Sequence, residues 1–232
     1  MNLHLVIGTP MYGGMCTSEY TQSLLNLSES ANKSDVKLTT IFLGNESLIQ
    51  RGRNTVAHHF MNLPDATHLL FIDADIKFRT QDIVKMIAAD KSLIVGPVAL
   101  KGYNWDEIRQ AAVNSEDDIG RTGGVFNINK LPGIDMVDEN TPFEIEHGGN
   151  AFMMIRRDVF ETLKPHTPIY TNGGRSLPDG VEIYDYFRVE INKDTNHLLS
   201  EDYFLCHSYR QLGGKVWCAP WVETGHFGSH LF

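Results

Sequence analysis

The sequence predicts an α/β fold in which a mostly parallel sheet carries helices on both faces. Three observations lead there. The first hundred residues alternate apolar, β-prone runs with helical stripes, as in Leu3 to Gly8 followed by Tyr20, Leu24, Leu25 and Leu27. The run Leu69-Leu70-Phe71-Ile72 is apolar without alternation, which is how a strand buried on both faces reads. That run stops abruptly at Asp73-Ala74-Asp75, and ligands of open α/β sheets sit outside the carboxyl ends of the strands.

Leu3 to Gly8 is the first strand, stopped by Thr9-Pro10. A loop follows to Ser18, with Gly13-Gly14 supplying backbone freedom. Ser18 is placed to cap a helix from Glu19 to Ala31. Val36 to Leu43 is the second strand and Glu46 to Asn62 the second helix. After the strand into Asp73, Thr80 is expected to cap a helix from Gln81 to Asp90, and Ser92 to Val98 is the fourth strand. Strands separated by helices in this way pair in parallel. The alternation breaks after Gly96-Pro97. Leu100 to Pro142 is polar and turn-rich, with Gly120, Gly123-Gly124 and Pro132-Gly133, and reads as short β-hairpins rather than helices. Ala151 to Ile155 is a strand and Arg157 to Leu163 a helix. Pro165 to Gly180 is a long loop of the kind that forms lids or binding loops. Tyr184 to Ile191 alternates as an edge strand. Ser200 caps a helix from Glu201 to Leu212, closed by Gly213-Gly214. Lys215 to Ala219 is the last strand, and Trp221 to Phe232 is a tail with two histidines.

Composition narrows the function classes. With 232 residues, 42% hydrophobic and 21% charged, the chain is ordinary for a globular protein, and no Pro- or Ser-rich linker divides it. The net charge is −9, and basic residues cluster no further than pairs such as Arg156-Arg157, so nucleic acid is not an expected partner. Cys16, Cys206 and Cys218 are too few and too scattered for a disulfide framework or a zinc knuckle, and reduced thiols in a cytosolic setting are expected. The N-terminus has no basic region leading into a long apolar core, and no window approaches a membrane span. The expectation is a cytoplasmic protein.

Several groups are candidates for chemistry. Carboxylates spaced as Asp73 and Asp75 suit a hard divalent cation carrying a substrate phosphate. They serve equally as a helix cap and a solvated turn. Thr9-Pro10-Met11-Tyr12 ends the first strand and is either a base-and-ribose contact or a plain turn. Arg51 and Arg53 open the second helix as a nucleotide contact or as a solvated face. Gly148-Gly149-Asn150 precedes an apolar strand, and paired glycines let backbone approach a ligand or simply turn. Glu201 and Asp202 lie in a first helical turn, where the dipole favours acids by roughly 0.3–1 kcal/mol, and where a general base would also serve. His226 is a structural or a metal-binding imidazole. Trp105 and Trp221, in presumed loops, offer faces that stack on sugars, whereas Trp217 reads as core.

Taken together, the motifs and their order resemble the GT-A glycosyltransferases. Asp73-Ala74-Asp75 looks like the family's DxD metal motif. Gly148-Gly149 with the strand that follows is similar to its glycine loop. Ser200-Glu201-Asp202 resembles its xED motif, and His226 falls where the family has a C-terminal metal histidine. The resemblance spans about residues 3 to 228, and is greatest to the small single-domain enzymes of large DNA viruses, phages and bacteria. It implies a GT-A, Rossmann-like sheet with a small β-hairpin acceptor region, in one domain of residues 1–232. Residues 1–99 would bind the nucleotide and 100–232 the acceptor. Mn²⁺ or Mg²⁺ would be held by Asp75 and His226, with Asp73 on the ribose or on a metal-bound water. Thr9, Pro10, Met11, Tyr12, Arg53 and Ala74 would line the nucleotide pocket. Asp202 would be the catalytic base, with Glu201 the second choice. Gly148, Gly149, Asn150, Trp105 and Trp221 would meet the donor sugar or the acceptor. The partners implied are a nucleotide-sugar donor, with UDP favoured as the group's commonest, and a glycan acceptor, in the cytoplasm or, for a viral protein, the host's.

An acceptor hydroxyl is a poor nucleophile, so a carboxylate must take its proton. A base opposite the leaving group inverts the anomeric carbon, and an inverting, metal-dependent transferase is expected. Two alternatives stand beside it. A nucleotidyltransferase acting on a sugar phosphate usually carries a basic, Gly-rich loop after its first strand, where this chain has Thr9-Pro10-Met11-Tyr12-Gly13-Gly14-Met15. A non-catalytic module binding nucleotide sugars or carbohydrates would need neither base nor metal.

Overall fold

The first hundred residues fold in the expected order: β1 (His4–Met11), α1 (Ser18–Lys33), β2 (Lys37–Gly44), α2 (Ile49–Met61), β3 (His68–Ile72), α3 (Thr80–Ala88) and β4 (Leu93–Val95). The computed structural model describes residues 3–114, 123–133, 138–173 and 177–228. β1 lies between β2 and β3 and is parallel to both. The second half supplies α4 (Trp105–Val113), β5 (Ile128–Lys130), β6 (Phe143–Gly148), β7 (Phe152–Arg156), α5 (Arg157–Leu163), α6 (Glu201–Gln211) and β8 (Val216–Cys218). Together they form one eight-stranded sheet in the order β2-β1-β3-β7-β4-β8-β6-β5.

The four strands of the first half are mutually parallel as expected, and β7 from the second half is set among them. It enters antiparallel between β3 and β4, with Phe152 opposite Ile72 and Arg156 opposite His68. The loop before β7 reaches the sheet at the carboxyl end of β3, and a strand that starts there can only run back. Followed across the pairings, six strands point one way and β6 and β7 the other.

The period-two geometry of β3 sends its side chains into both layers. Leu69 and Phe71 join a core with Val56, Phe60, Phe160, Phe187 and Leu205, whereas Leu70 and Ile72 join one with Leu5, Ile7, Tyr20 and Phe152. None of Leu69, Leu70, Phe71 and Ile72 is exposed to solvent, which is why the run shows no polar alternation.

The helix starts differ from expectation. Thr17, not Ser18, caps α1, its hydroxyl accepting from the Tyr20 amide at 3.2 Å. Thr80 is the first residue of α3 rather than its cap. Ser200 holds the cap position of α6 without a capping bond, its hydroxyl turning to Asp202 instead. The expected hairpin region contains α4, which the sequence pattern hides. Asn104 caps it, and it is a short helix, with Trp105, Ile108 and Ala111 at helical spacing, set among turn residues that read as hairpins; only Ala111 is buried. Around it, Ala99–Tyr103 pairs with Gly124–Phe126 as an antiparallel ribbon, while the turn expected at Gly120 lies outside the described residues.

The long loop of 165–180 holds a strand, Ile169–Thr171, paired with Glu182–Tyr184; residues 174–176 of it are outside the description. The edge strand expected over 184–191 is two pieces, since Glu190–Ile191 pairs separately with Leu198–Leu199. The tail returns to the site: Gly225–His226 pairs with Ile76–Lys77, just past the paired carboxylates. Among the described residues no helix is long and apolar enough to cross a membrane.

Candidate functional site

The turn after β3 is pinned from three directions. The Asp73 amide donates to Ala151 O at 3.1 Å, the Thr17 amide to Ala74 O at 2.9 Å, and the Phe227 amide to Asp75 O at 3.0 Å. The loop before β7, the start of α1 and the C-terminal tail therefore converge on Asp73-Ala74-Asp75. No helix follows for Asp73 to cap, because the chain enters the Ile76–Lys77 ribbon.

The two carboxylates face different partners. Asp73 Oδ1 receives Arg53 Nη2 at 3.2 Å, and Arg53 Nε reaches Glu201 Oε1 at 3.2 Å. Arg53 Nη1 donates to Asn150 O at 3.4 Å, and the guanidinium lies over the Phe71 ring. Its side chain is 4% exposed. Burial opposes the Arg53 charge, but Asp73, Glu201 and Asp202 outweigh it and hold its pKa above the ordinary value. Arg53 is thus a buried strut tying α2 to β3 and α6, and it also lines the cleft around Asp202. Burial raises the Glu201 carboxyl, with Arg53 opposing.

Asp75 Oδ2 faces His226 Nε2 at 3.6 Å and Lys101 Nζ at 2.5 Å. His226 Nδ1 lies 2.7 Å from Ala99 O. A carbonyl only accepts, so Nδ1 carries the hydrogen, and Nε2 is the nitrogen that faces Asp75. Histidines that bind metals are oriented in this way. Among the described residues no three His, Cys, Asp or Glu side chains come together as a metal-holding group. Asp73 is engaged by Arg53 and stands apart from Asp75 and His226.

Asp202 and Glu201 are adjacent yet differently placed. Asp202 Oδ1 accepts from the Ser200 hydroxyl and from the Tyr203 amide at 2.8 Å, and Oδ2 from the Asn150 amide at 3.3 Å. Asp202 lines a cleft of about 180 Å³ with Arg53, Asp73, Asn127, Asn150 and His226, whereas Glu201 turns away to Arg53. Asn150 is 1% exposed, and neither of its side-chain amide atoms has a hydrogen-bond partner. Buried polar groups are paired as a rule, so both amide atoms of Asn150 are open to a partner from the cleft.

A larger cavity of about 510 Å³ adjoins Asp73, Ala74 and Asp75 and is lined further by Pro10, Tyr12, Cys16, Thr17, Glu46, Ser47 and Ile49. Pro10, Tyr12 and Ala74, expected at a nucleotide pocket, are among its lining. Thr9 does not line it: buried, its hydroxyl sits 2.5 Å from Tyr20 Oη and anchors α1. Met11 does not line it either. Cys16, Thr17 and Glu46 carry no motif that would single them out. Glu46 is fixed by both arms of Arg51 at 2.7 Å.

The glycine pair and one tryptophan serve packing. A Cβ on Gly148 would lie 2.9 Å from Val95 Cγ1, and one on Gly149 2.6 Å from Asn127 Nδ2. Of that segment, Gly149 and Asn150 reach the cleft. Trp221 corrects the expectation of an acceptor contact. It is buried in the core, its indole N–H directed to Asp82 O at 3.4 Å, and its ring is not available for stacking. Trp105 is 64% exposed beside Tyr103, with ring centroids 5.3 Å apart.

No known protein family matches the sequence, and no curated protein matches it. Among solved structures, A197 from STIV superposes on 98% of this chain and 87% of its own, with a TM-score of 0.52 at 13% identity, a likeness of fold. A glycosyltransferase involved in the glycosylation of the major capsid of PBCV-1 matches 70% of this chain and 64% of its own, with a TM-score of 0.34 at 9% identity. A UDP-glucose pyrophosphorylase complexed with UDP-glucose matches 93% and 89%, with a TM-score of 0.43 at 9% identity. At these scores the last two say nothing of this chain's chemistry.

Proposed function

We propose that this chain is an inverting, metal-dependent glycosyltransferase. It moves a sugar from a nucleotide-diphosphate sugar, UDP-sugar favoured, to a hydroxyl of a glycan or glycoconjugate. One observation carries the reading: Asp202, the unpartnered amide of Asn150 and the Asp73 carboxylate share a cleft that also contains His226. Beside it, the larger cavity meets the same edge at Asp73 and Asp75. A nucleotide in the cavity, with its sugar in the cleft, would place the diphosphate at Asp75 and His226.

The donor set fits a divalent ion such as Mn²⁺ or Mg²⁺: a carboxylate oxygen and the imidazole nitrogen not committed to Ala99 O, with phosphate oxygens completing the shell. A cation bound there would neutralise charge gathering on the diphosphate as the glycosidic bond breaks. Asp73, steadied by Arg53, has its remaining acceptor capacity for a ribose hydroxyl. Asn150 can donate to one sugar hydroxyl and accept from another. Asp202 Oδ1 is satisfied by Ser200 and Tyr203, while Oδ2 holds only the long contact to the Asn150 amide. That oxygen takes the acceptor's proton, a role typically worth about 10²–10⁴ in rate. The nucleotide is taken mainly by residues 1–99 and the acceptor by 100–232, with Trp105 as a stacking surface.

A panel of nucleotide sugars scored by Mn²⁺-dependent thermal shift tests this reading. A donor at a hundred times its Kd stabilises the fold by about 2.7 kcal/mol, so one nucleotide family should stand out, and only with Mn²⁺ for full effect. A flat panel contradicts the reading. Retention at the anomeric carbon, read by proton NMR of the product, contradicts Asp202 as the base for direct displacement.

A further inference from the structure

Lys101 belongs to no motif, yet the edge is built around it. It lies in the Ala99–Tyr103 strand, two residues after the carbonyl that orients His226. Its ammonium is 2.5 Å from Asp75 Oδ2, the same oxygen that His226 Nε2 faces at 3.6 Å. Its stem runs over Gly228: a Cβ there would lie 2.8 Å from Lys101 Cδ and 3.4 Å from Cγ and Cε. The tail that carries His226 is thus also shaped to let Lys101 pass.

An isolated surface pair of this kind has little energetic weight. Here the charge pattern gives it another meaning. Asp73 is matched by Arg53 and Asp75 by Lys101, so each acid at the edge already holds a cation. Without Lys101, a diphosphate approaching Asp75 would meet an uncompensated carboxylate. Lysine is a mobile point charge suited both to a carboxylate and to phosphate oxygens. A divalent ion ligated by Asp75 Oδ2 and His226 Nε2 would need the side of Asp75 that the ammonium now holds.

We propose that Lys101 is a resident cation of the diphosphate site. It pairs Asp75 when no metal is bound, competes with the metal for that carboxylate, and supports nucleoside diphosphate binding without metal. This rests on reading the edge as a diphosphate site.

The test compares the wild type with Lys101→Gln in two binding measurements. Mn²⁺ alone is titrated by electron paramagnetic resonance, and UDP and GDP are titrated calorimetrically in EDTA. A unit charge at this range near a protein surface supports an expected change of about tenfold in each. Lys101→Gln binds Mn²⁺ more tightly and the nucleotides more weakly. Lys101→Arg, which keeps the charge, stays near wild type, and Gly228→Ala, which displaces the stem, follows Lys101→Gln. Unchanged Mn²⁺ affinity in Lys101→Gln overturns the proposal, and so does unchanged nucleotide affinity in EDTA. If neither nucleotide binds the wild type even with Mn²⁺, the diphosphate reading itself fails, while the Mn²⁺ titration still judges whether Lys101 competes for Asp75.

Discussion

His226 Nε2 faces Asp75 Oδ2 across 3.6 Å, while its Nδ1 is committed to Ala99 O at 2.7 Å. The pairing joins residues 151 positions apart and depends on the two-residue ribbon between the tail and Ile76–Lys77. His226→Ala should therefore weaken Mn²⁺ binding by about tenfold or more, and Asp75→Ala should abolish it, with the fold retained because both side chains are partly exposed. Wild-type Mn²⁺ affinity in both variants, measured by paramagnetic resonance, would remove this pair from the metal site.

The neighbours Glu201 and Asp202 should separate cleanly. Asp202→Asn keeps a side chain of the same shape and loses turnover by about 10²–10⁴ with nucleotide affinity little changed. Glu201→Gln leaves buried Arg53 short of a partner charge, and Arg53→Met leaves Asp73 and Glu201 both unpaired. Breaking a buried pair costs about 3–5 kcal/mol, so Arg53→Met shows chiefly in urea unfolding. Normal turnover in Asp202→Asn would reassign the base.

The thiols report on the cavity. Burial pushes Cys206 and Cys218 up to about 12, whereas Cys16 is exposed and lines the cavity beside Asp73. A thiol reagent should label Cys16 alone in the native protein, and a bound nucleotide should slow that labelling. Equal labelling with and without UDP and Mn²⁺ counts against this cavity as the nucleotide site.

Acid should weaken one fixed wall of that cavity. The bonds from Arg51 hold the Glu46 carboxyl below its ordinary 4.5. A depressed carboxylate stabilises the fold above its unfolded pKa, and that contribution is lost as pH falls through the folded value. Glu46→Gln should thus be less stable than wild type near neutrality, with the gap closing below pH ~4 in urea unfolding. A gap that is constant with pH would assign the loss to packing.

Much of this was legible in the residues. The buried run of β3 ending in two acids located the sheet edge, because burial on both faces erases polar alternation. The antiparallel β7 was not legible, since direction is set by where the preceding loop returns. α4 escaped because its nine residues sit inside a glycine- and proline-punctuated stretch whose turn signals outweigh a short helical stripe. Asp73, Asp75, Asp202, Asn150 and His226 were singled out by type and order, and the structure brings four of them to one cleft and Asp75 to the adjoining cavity, facing His226. Lys101, Asn127 and Glu46 were missed because their positions come from tertiary pairing. Trp221 was misjudged because a tail residue looks exposed until the tail is seen packed into the core.

The central claim is sugar transfer at this edge, and release of nucleoside diphosphate tests it most directly. Purified protein is incubated with single nucleotide sugars and Mn²⁺, and the free diphosphate is measured with and without candidate glycan acceptors. One donor should be cleaved, slowly alone and faster with its acceptor, and Asp75→Ala and Asp202→Asn should each remove the activity. Binding of a nucleotide sugar with no release under any of these conditions would contradict the account and leave a binding module in its place.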